Sequence, residues 1–287
     1  SQTVLAGLVG RSESWLSQLE RGQRNADKLS ILIPMAKALR VDLAVLLGEP
    51  LDFSHQGGPD LAAVDAIRAA ISTYVTLDGE DERDIPDAVT LGAVLVEINS
   101  LNQATQYARA GSLLPLAIRG AELAAEQASN TDQQREALAL VARTHQVTAA
   151  LLSRIGQTDL GWVAADRAIN AAKRADDTEL LVAGIYRLGQ IMLRAGRNEE
   201  AFQLAESVLP SIDPGDTRPS MLSLHGALLL TAAIAAARLT DRRESIRLIQ
   251  QAQTVADRIG GDRNDHWTAF GPSHVRIHAT STAVELG

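Results

Sequence analysis

Residues 5–24 read Leu-Ala-Gly-Leu-Val-Gly-Arg-Ser-Glu-Ser-Trp-Leu-Ser-Gln-Leu-Glu-Arg-Gly-Gln-Arg. This order predicts a helix, a tight turn at Gly10 and a second amphipathic helix opening at Ser12. Leu5, Ala6 and Val9 form the apolar face of the first helix, and Leu16 and Leu19 that of the second. Gly10 stands where a short turn between two crossed helices wants a residue that tolerates positive φ. Ser12 carries a good N-cap side chain for the helix that follows. A second helix held at that angle can enter a DNA major groove with its first turn facing base edges.

The stretch resembles the helix-turn-helix of the XRE (Cro/C1-type) repressors. The resemblance spans about the first 48 residues. It rests on Gln2 at the start of the first helix, the Gly10 turn, the helix from Ser12 to Leu19 and the exit Leu19-Glu20-Arg21-Gly22. It implies a third helix over Leu29 to Leu39, capped by Asn25 or Asp27, a short fourth opening at Val41 and ending at Gly48, and one more helix upstream of Ser1. On the family pattern, the first turn of the recognition helix supplies Arg11, Ser12, Glu13, Ser14 and Trp15. Glu13, Ser14 and Gln18 are then the positions that meet base edges: Gln bonds adenine in a bidentate way and Glu accepts from cytosine. Gln2, Arg21 and Arg24 are expected on phosphates, where contacts set register. Trp15 has two readings, one against a thymine methyl or sugar and one packed beside Leu19. Leu32 and Leu39 join Leu5, Ala6, Val9, Leu16 and Leu19 as core.

At 287 residues the length suits about two domains. Aromatic residues are only 3% of a chain rich in Ala and Leu, which points to helices packed closely through small side chains. The absence of Cys excludes disulfides and Cys-based zinc sites, and fits a reducing cytoplasm. The most apolar run, Ala227 to Ala237, is too short to span a bilayer, so no membrane partner is expected. The net charge of −8 suits a DNA binder only once divided. Residues 1–50 carry a net +1, so the acidity lies in the remainder, where it discourages non-specific contact with phosphate.

Glu49 to Asp60, with Pro50, Gly57, Gly58 and Pro59, has the composition of a linker. Leu61 to Leu77 reads as a helix, and Asp78 to Asp87 as an acidic, solvated connection. From Ala88 onward one signature recurs: Ala108-Arg109-Ala110-Gly111, Ser153-Arg154-Ile155-Gly156, Leu193-Arg194-Ala195-Gly196 and Ala237-Arg238-Leu239-Thr240. Each is read as the end of one helix and the approach to the next. A period of 40 to 45 residues predicts stacked helical hairpins. The clearest unit is Ile185 to Val208, with Leu188-Gly189 in its first helix, Gly196 in the turn and Ala201 and Ala205 in its second. That unit resembles the tetratricopeptide repeat, and the resemblance extends over roughly residues 88–260 in longer, degenerate units. The tail carries Trp267, Phe270-Gly271-Pro272, Val275 and Glu285-Leu286-Gly287, and resembles that of XRE–tetratricopeptide regulators of actinomycete type. Ser273 is read as the cap of its helix, and Trp267 with Phe270 as an apolar capping plug or a ligand lid. The expected fold is all-α: a DNA-binding bundle over 1–48, a linker over 49–60 and a tetratricopeptide-like α-solenoid over 61–287.

The repeated arginines admit two roles. Each suits the negative end of a helix and its last carbonyls, or together they form a ladder that clamps carboxylates or phosphates through forked hydrogen bonds. Arg143, Gln146, Arg154, Tyr186, Gln190 and Arg194 are the candidate ligand set on the inner face. His274 and His278, one turn apart, lack the third ligand of a metal site, so no metal is expected. His225, in an Ala/Leu-rich helix, reads as a hydrogen-bonded core histidine. No Gly-x-Ser-x-Gly elbow, Walker A loop or Gly-x-Gly-x-x-Gly occurs, and no catalytic residues or cofactor are assigned. The expectation is a dimeric, cytoplasmic, sequence-specific regulator that binds a double-stranded operator and a peptide or small-molecule effector. The alternative is a protein-interaction scaffold tethered to DNA through its first domain.

Overall fold

The computed structural model describes residues 6, 7, 9, 11–21, 35, 38, 61–72 and 88–286. The chain divides into two compact units, Ser1–Gln56 and Gly57–Gly287. Every regular element among the described residues is helical, so the fold is all-α with the predicted two-helix motif at its N-terminal end.

In the first unit, helix α1 spans Glu13–Glu20. Ser12 is its N-cap: its backbone is extended, its Oγ accepts the Trp15 N–H at 3.2 Å and its carbonyl accepts the Leu16 N–H. Ala6 and Gly7 are helical, and the Arg11 N–H returns to the Ala6 carbonyl at 2.9 Å, the six-residue closure that ends a helix tightly. Ala6, Val9, Trp15, Leu16 and Met35 are buried together, with Leu19 packed against them. Trp15 is only 9% exposed, which selects packing over a base contact. Met35 and Ala38 are helical. Gln2, Leu5, Gly10, Arg24, Leu32, Leu39, the rest of the expected third helix, the fourth helix, the linker over 49–60 and the connection over 78–87 lie outside the described residues.

The second unit opens with α2, Leu61–Ser72, and continues through α3 (Ala88–Gln103), α4 (Tyr107–Gln127), α5 (Thr131–Arg154), α6 (Thr158–Arg174), α7 (Thr178–Arg194), α8 (Asn198–Val208), α9 (Pro219–Arg238), α10 (Arg242–Ile259) and α11 (Pro272–Leu286). From α3 to α10 each helix packs on its neighbours in the chain. The odd-numbered helices α3, α5, α7 and α9 also pack on one another in order, and α11 continues that row against α9. They form an inner layer, backed by the even-numbered helices. Alanine makes the close approach possible: Ala164, Ala165, Ala168 and Ala172 on α6 and Ala201 on α8 are fully buried. Caps set the starts, with Asn130, Asp177 and Asp241 each accepting a first-turn N–H.

Five turns share one geometry. Thr105, Gly156, Asp176, Gly196 and Thr240 take left-handed φ between 56° and 80°, and the next N–H reaches the carbonyl five residues back. This Schellman-type closure favours glycine, and Gly156 and Gly196 supply it. The arginines at 154, 194 and 238 each stand two residues before the left-handed residue, at a helix end. Arg109 does not. It lies in the first turn of α4, because the α3–α4 turn uses Thr105 and Gly111 is buried inside α4. The equivalent residue there is Gln103. Two further readings change. Pro272, not Ser273, opens α11, and Asp262 Oδ1 accepts the Ser273 N–H at 2.9 Å. The apolar run 227–237 belongs to the 20-residue α9, long and apolar enough to cross a membrane by length and composition, but 83% of its most apolar window is buried inside the unit.

Candidate nucleic-acid interface and inner groove

In the first unit, α1 presents Arg11, Ser12, Glu13 and Ser14 to solvent in and just before its first turn, with Gln18 half-buried one turn on. Burial of Trp15 and Leu16 fixes which side of the helix is inward. The Arg11 guanidinium lies 5.7 Å from the Trp15 ring centroid, so Trp15 supports a cation at the rim of this surface. Arg21 folds back on its own helix, donating from Nε to the Ser17 carbonyl (3.1 Å) and from Nη2 to Ser17 Oγ (2.8 Å). It remains exposed at the helix end.

In the second unit, the odd-numbered helices leave a groove that the segment 262–271 crosses. This strap is held at several points. Asn264 and Gln103 exchange amide hydrogen bonds at 3.2 Å. Ser223 Oγ donates to Asp265 Oδ2 (3.2 Å), Arg187 Nη2 to the His266 carbonyl (2.6 Å), and His266 Nε2 lies 2.7 Å from Glu179 Oε1. Phe270 is fully buried against Gly226, where an added Cβ would come within 1.9 Å of the ring. His266, Trp267 and Ala269 take left-handed φ of 48–56°, a strained path for three side-chain-bearing residues. Phe270 is therefore the apolar plug, while Trp267 is half-buried and borders cavities on both sides of the strap.

One cavity, about 290 Å³, brings together Arg154, Tyr186, Gln190 and Arg194 of the expected set. The other, about 300 Å³, takes Arg143 and Gln146. The six residues thus do not form one site. Gln146 is buried and gives its amide to the Leu180 carbonyl (2.8 Å), tying α5 to the first turn of α7. Arg187 borders both cavities and was missed by the sequence reading, although it lies three and seven residues before Gln190 and Arg194, on the same helix face.

The arginine ladder divides in the structure. Arg154 Nη1 donates to the Asn102 carbonyl in the last turn of α3 (3.1 Å), and Arg238 Nη1 to the Leu193 carbonyl in the last turn of α7 (2.8 Å). Each arginine thus closes the C-terminus of the preceding inner helix rather than its own. Arg238 also pairs with Glu285 of α11 at 3.3 Å. Arg194 makes no such bond and is exposed at the cavity edge. Arg109 pairs instead with Gln106 and Glu97 on the surface.

Arg187 stacks 5.1 Å from the Tyr186 ring centroid. Burial lowers its pKa from the ordinary arginine value, Tyr186 opposes that shift and Arg154 adds to it. His274 and His278 meet Nε2 to Nε2 at 3.0 Å. Burial, with His274 beside it, pushes His278 down to about 4. Burial also lowers His274, against the pull of Asp262. Both rings are therefore neutral at neutral pH. Among the described residues no group of three His, Asp or Glu side chains could hold a metal ion. His225 is half-buried in a different groove, with burial and Arg258 lowering its pKa, and it has no hydrogen-bond partner among the described residues; it is not the satisfied core histidine expected.

The sequence model of a family described as a helix-turn-helix domain matches residues 1–47. No curated protein and no solved structure matches the chain. The first unit therefore carries a helix-turn-helix DNA-binding domain.

Proposed function

We propose that the chain is a sequence-specific transcription regulator of the XRE type, working in the cytoplasm as a homodimer on a roughly palindromic operator. The helix-turn-helix match over residues 1–47, with Glu13 and Ser14 exposed at the start of a helix capped by Ser12, is the observation that carries this reading. Glu13, Ser14 and Gln18 read base edges, while Arg11 and Arg21, joined by Gln2 and Arg24, contact phosphate. The second unit is tetratricopeptide-like in its hairpins and small-residue crossings. It dimerises, and it binds an effector in the groove of its inner layer. Effector binding alters the spacing of two DNA-reading heads and hence the fit to two half-sites.

Affinity selection of genomic DNA fragments by the full-length protein, over a salt series, tests this reading. The expected result is one motif with two half-sites that persists at moderate salt. Gln18→Ala then relaxes base preference at one position per half-site at a cost of about 1–3 kcal/mol, and Arg21→Ala weakens all sequences alike. Binding that is salt-labile and without a motif, together with a stoichiometric protein partner in a pull-down, would make the chain an interaction scaffold instead.

A further inference from the structure

Arg154, Arg187 and Arg194 line one cavity of about 290 Å³, and none of the residues lining it is Asp or Glu. Several other arginines of this unit meet carboxylates: Arg218 with Asp216 and Glu179, Arg247 with Glu244, Arg263 with Asp265. Here two of the three guanidinium groups are bonded only to backbone carbonyls, at Asn102 and His266, and Arg194 has no partner among the described residues. Placing like charges in a partly desolvated groove without a counter-ion is costly unless an anion joins them. The neutral groups add to the case. Ser153 Oγ and His274 Nδ1 are buried, belong to residues lining the same cavity and have no hydrogen-bond partner among the described residues. Gln190 commits its amide nitrogen to Thr231 Oγ1 (2.9 Å), so it presents only its carbonyl oxygen, which suits a hydroxyl or amide on a ligand's body and leaves the anion to the arginines. Leu230, Ile234 and Trp267 give the wall an apolar stretch, beside the polar Gln103, Thr268 and His278.

We infer that this cavity binds a small organic oxyanion, a carboxylate or phosphate on an apolar body, with the anion held by Arg194 and Arg187 and the body against Leu230, Ile234 and Trp267. Arg154 adds charge from the far wall while keeping its bond to α3. Forked guanidinium donors suit either oxyanion. The site also touches the strap, because Arg187 is the side chain that holds the His266 carbonyl. An anion drawing on the same guanidinium is therefore coupled to the position of Trp267. This names the chemical class of the effector, and its regulatory meaning rests on the function proposed above; the binding itself needs no DNA.

Calorimetry on the full chain at constant ionic strength tests it, with 4-phenylbutyrate and phenyl phosphate as probes and uncharged 4-phenylbutanamide as the control. The expected result is saturable 1:1 binding of at least one anion, with the amide at least about tenfold weaker. Which anion binds tells a carboxylate source from a phosphate source. Arg194→Gln, at an exposed residue whose loss leaves the fold intact, weakens binding at least about tenfold, as does Arg187→Gln, whereas Arg109→Gln leaves it unchanged. No binding of either anion, equal binding of the amide, or unchanged affinity in both groove variants overturns the inference. A chain that still selects a two-half-site motif while binding neither anion loses this inference alone. A chain that binds the anion but selects no motif loses the regulatory reading and keeps the site.

Discussion

The turns at Arg238 and Arg194 are the same piece of local structure put to different uses. Each arginine ends an inner helix, each precedes a left-handed turn residue by two positions, and each turn closes with the same backbone bonds. Arg238 reaches across to the last turn of α7 and to Glu285, so its charge is spent on holding α7, α9 and α11 together. Arg194 would find its equivalent acceptor in the last turn of α5 and does not take it. Its charge stays at the groove beside Arg187. A repeat can thus fix where a residue sits without fixing what it does, because the role depends on which acceptors the neighbouring repeats and the strap bring within reach.

The strap has the largest effect on this comparison. Phe270→Ala removes a fully buried ring and should cost about 3–5 kcal/mol in urea unfolding. Gly226→Ala should approach that figure, since its new methyl occupies the place of the ring. If either variant unfolds at the wild-type midpoint, the strap is not part of the packed unit. Next comes the contrast itself. Arg238→Gln should lose about 1–2 kcal/mol, a charged hydrogen bond to a carbonyl, while Arg194→Gln stays within about 0.5 kcal/mol of wild type. Equal losses would mean that Arg194 has a structural partner after all.

A pH effect of similar or smaller size belongs to the groove end of the comparison. His278 titrates near 4 in the folded chain, below the ordinary histidine value, so the unfolded chain takes up the proton first. Its contribution is complete above about pH 6.5 and is lost as the pH falls towards 4. Partial exposure limits the loss to about 1–2 kcal/mol. His278→Gln should flatten the fall in melting temperature over that window, and a slope identical to wild type would remove His278 as its cause. The smallest effects lie in the turns. Gly196→Ala should cost about 1 kcal/mol, and Thr240→Gly should gain less than that, since each exchanges the side-chain penalty of the left-handed region. Thermal unfolding of the pair reads both.

The helical class, the capped helix α1 and the hairpin ends at Arg154 and Arg194 were legible because they rest on local rules: apolar period, cap chemistry and glycine at positive φ; the end at Arg238, with Thr240 in the left-handed position, followed from the repeat spacing. The first repeat misled for the same reason. Gly111 imitates a turn glycine yet packs inside α4, while the actual turn uses Thr105, and the turn at Asp176 has no glycine to announce it. The groove was half legible. Tyr186, Gln190 and Arg194 follow from helical spacing, and so does Arg187, three and seven residues before the last two. What spacing does not carry is the strap, whose contacts join residues as far apart as Gln103 and Asn264. It splits the groove and parts Arg143 and Gln146 from the other four. Trp15 went to the core because tertiary packing, not position in the first turn, decides which side of α1 faces inward.

The most direct test of the division of labour measures two quantities on two variants: the melting temperature and the 4-phenylbutyrate and phenyl phosphate affinities of Arg238→Gln and Arg194→Gln. The two arginines are predicted to give opposite results. Arg238→Gln melts several degrees lower and binds the anion as wild type does. Arg194→Gln melts as wild type does and binds the anion at least about tenfold more weakly. Variants that lose stability and affinity together, or a stable Arg194→Gln with undiminished affinity, would contradict it.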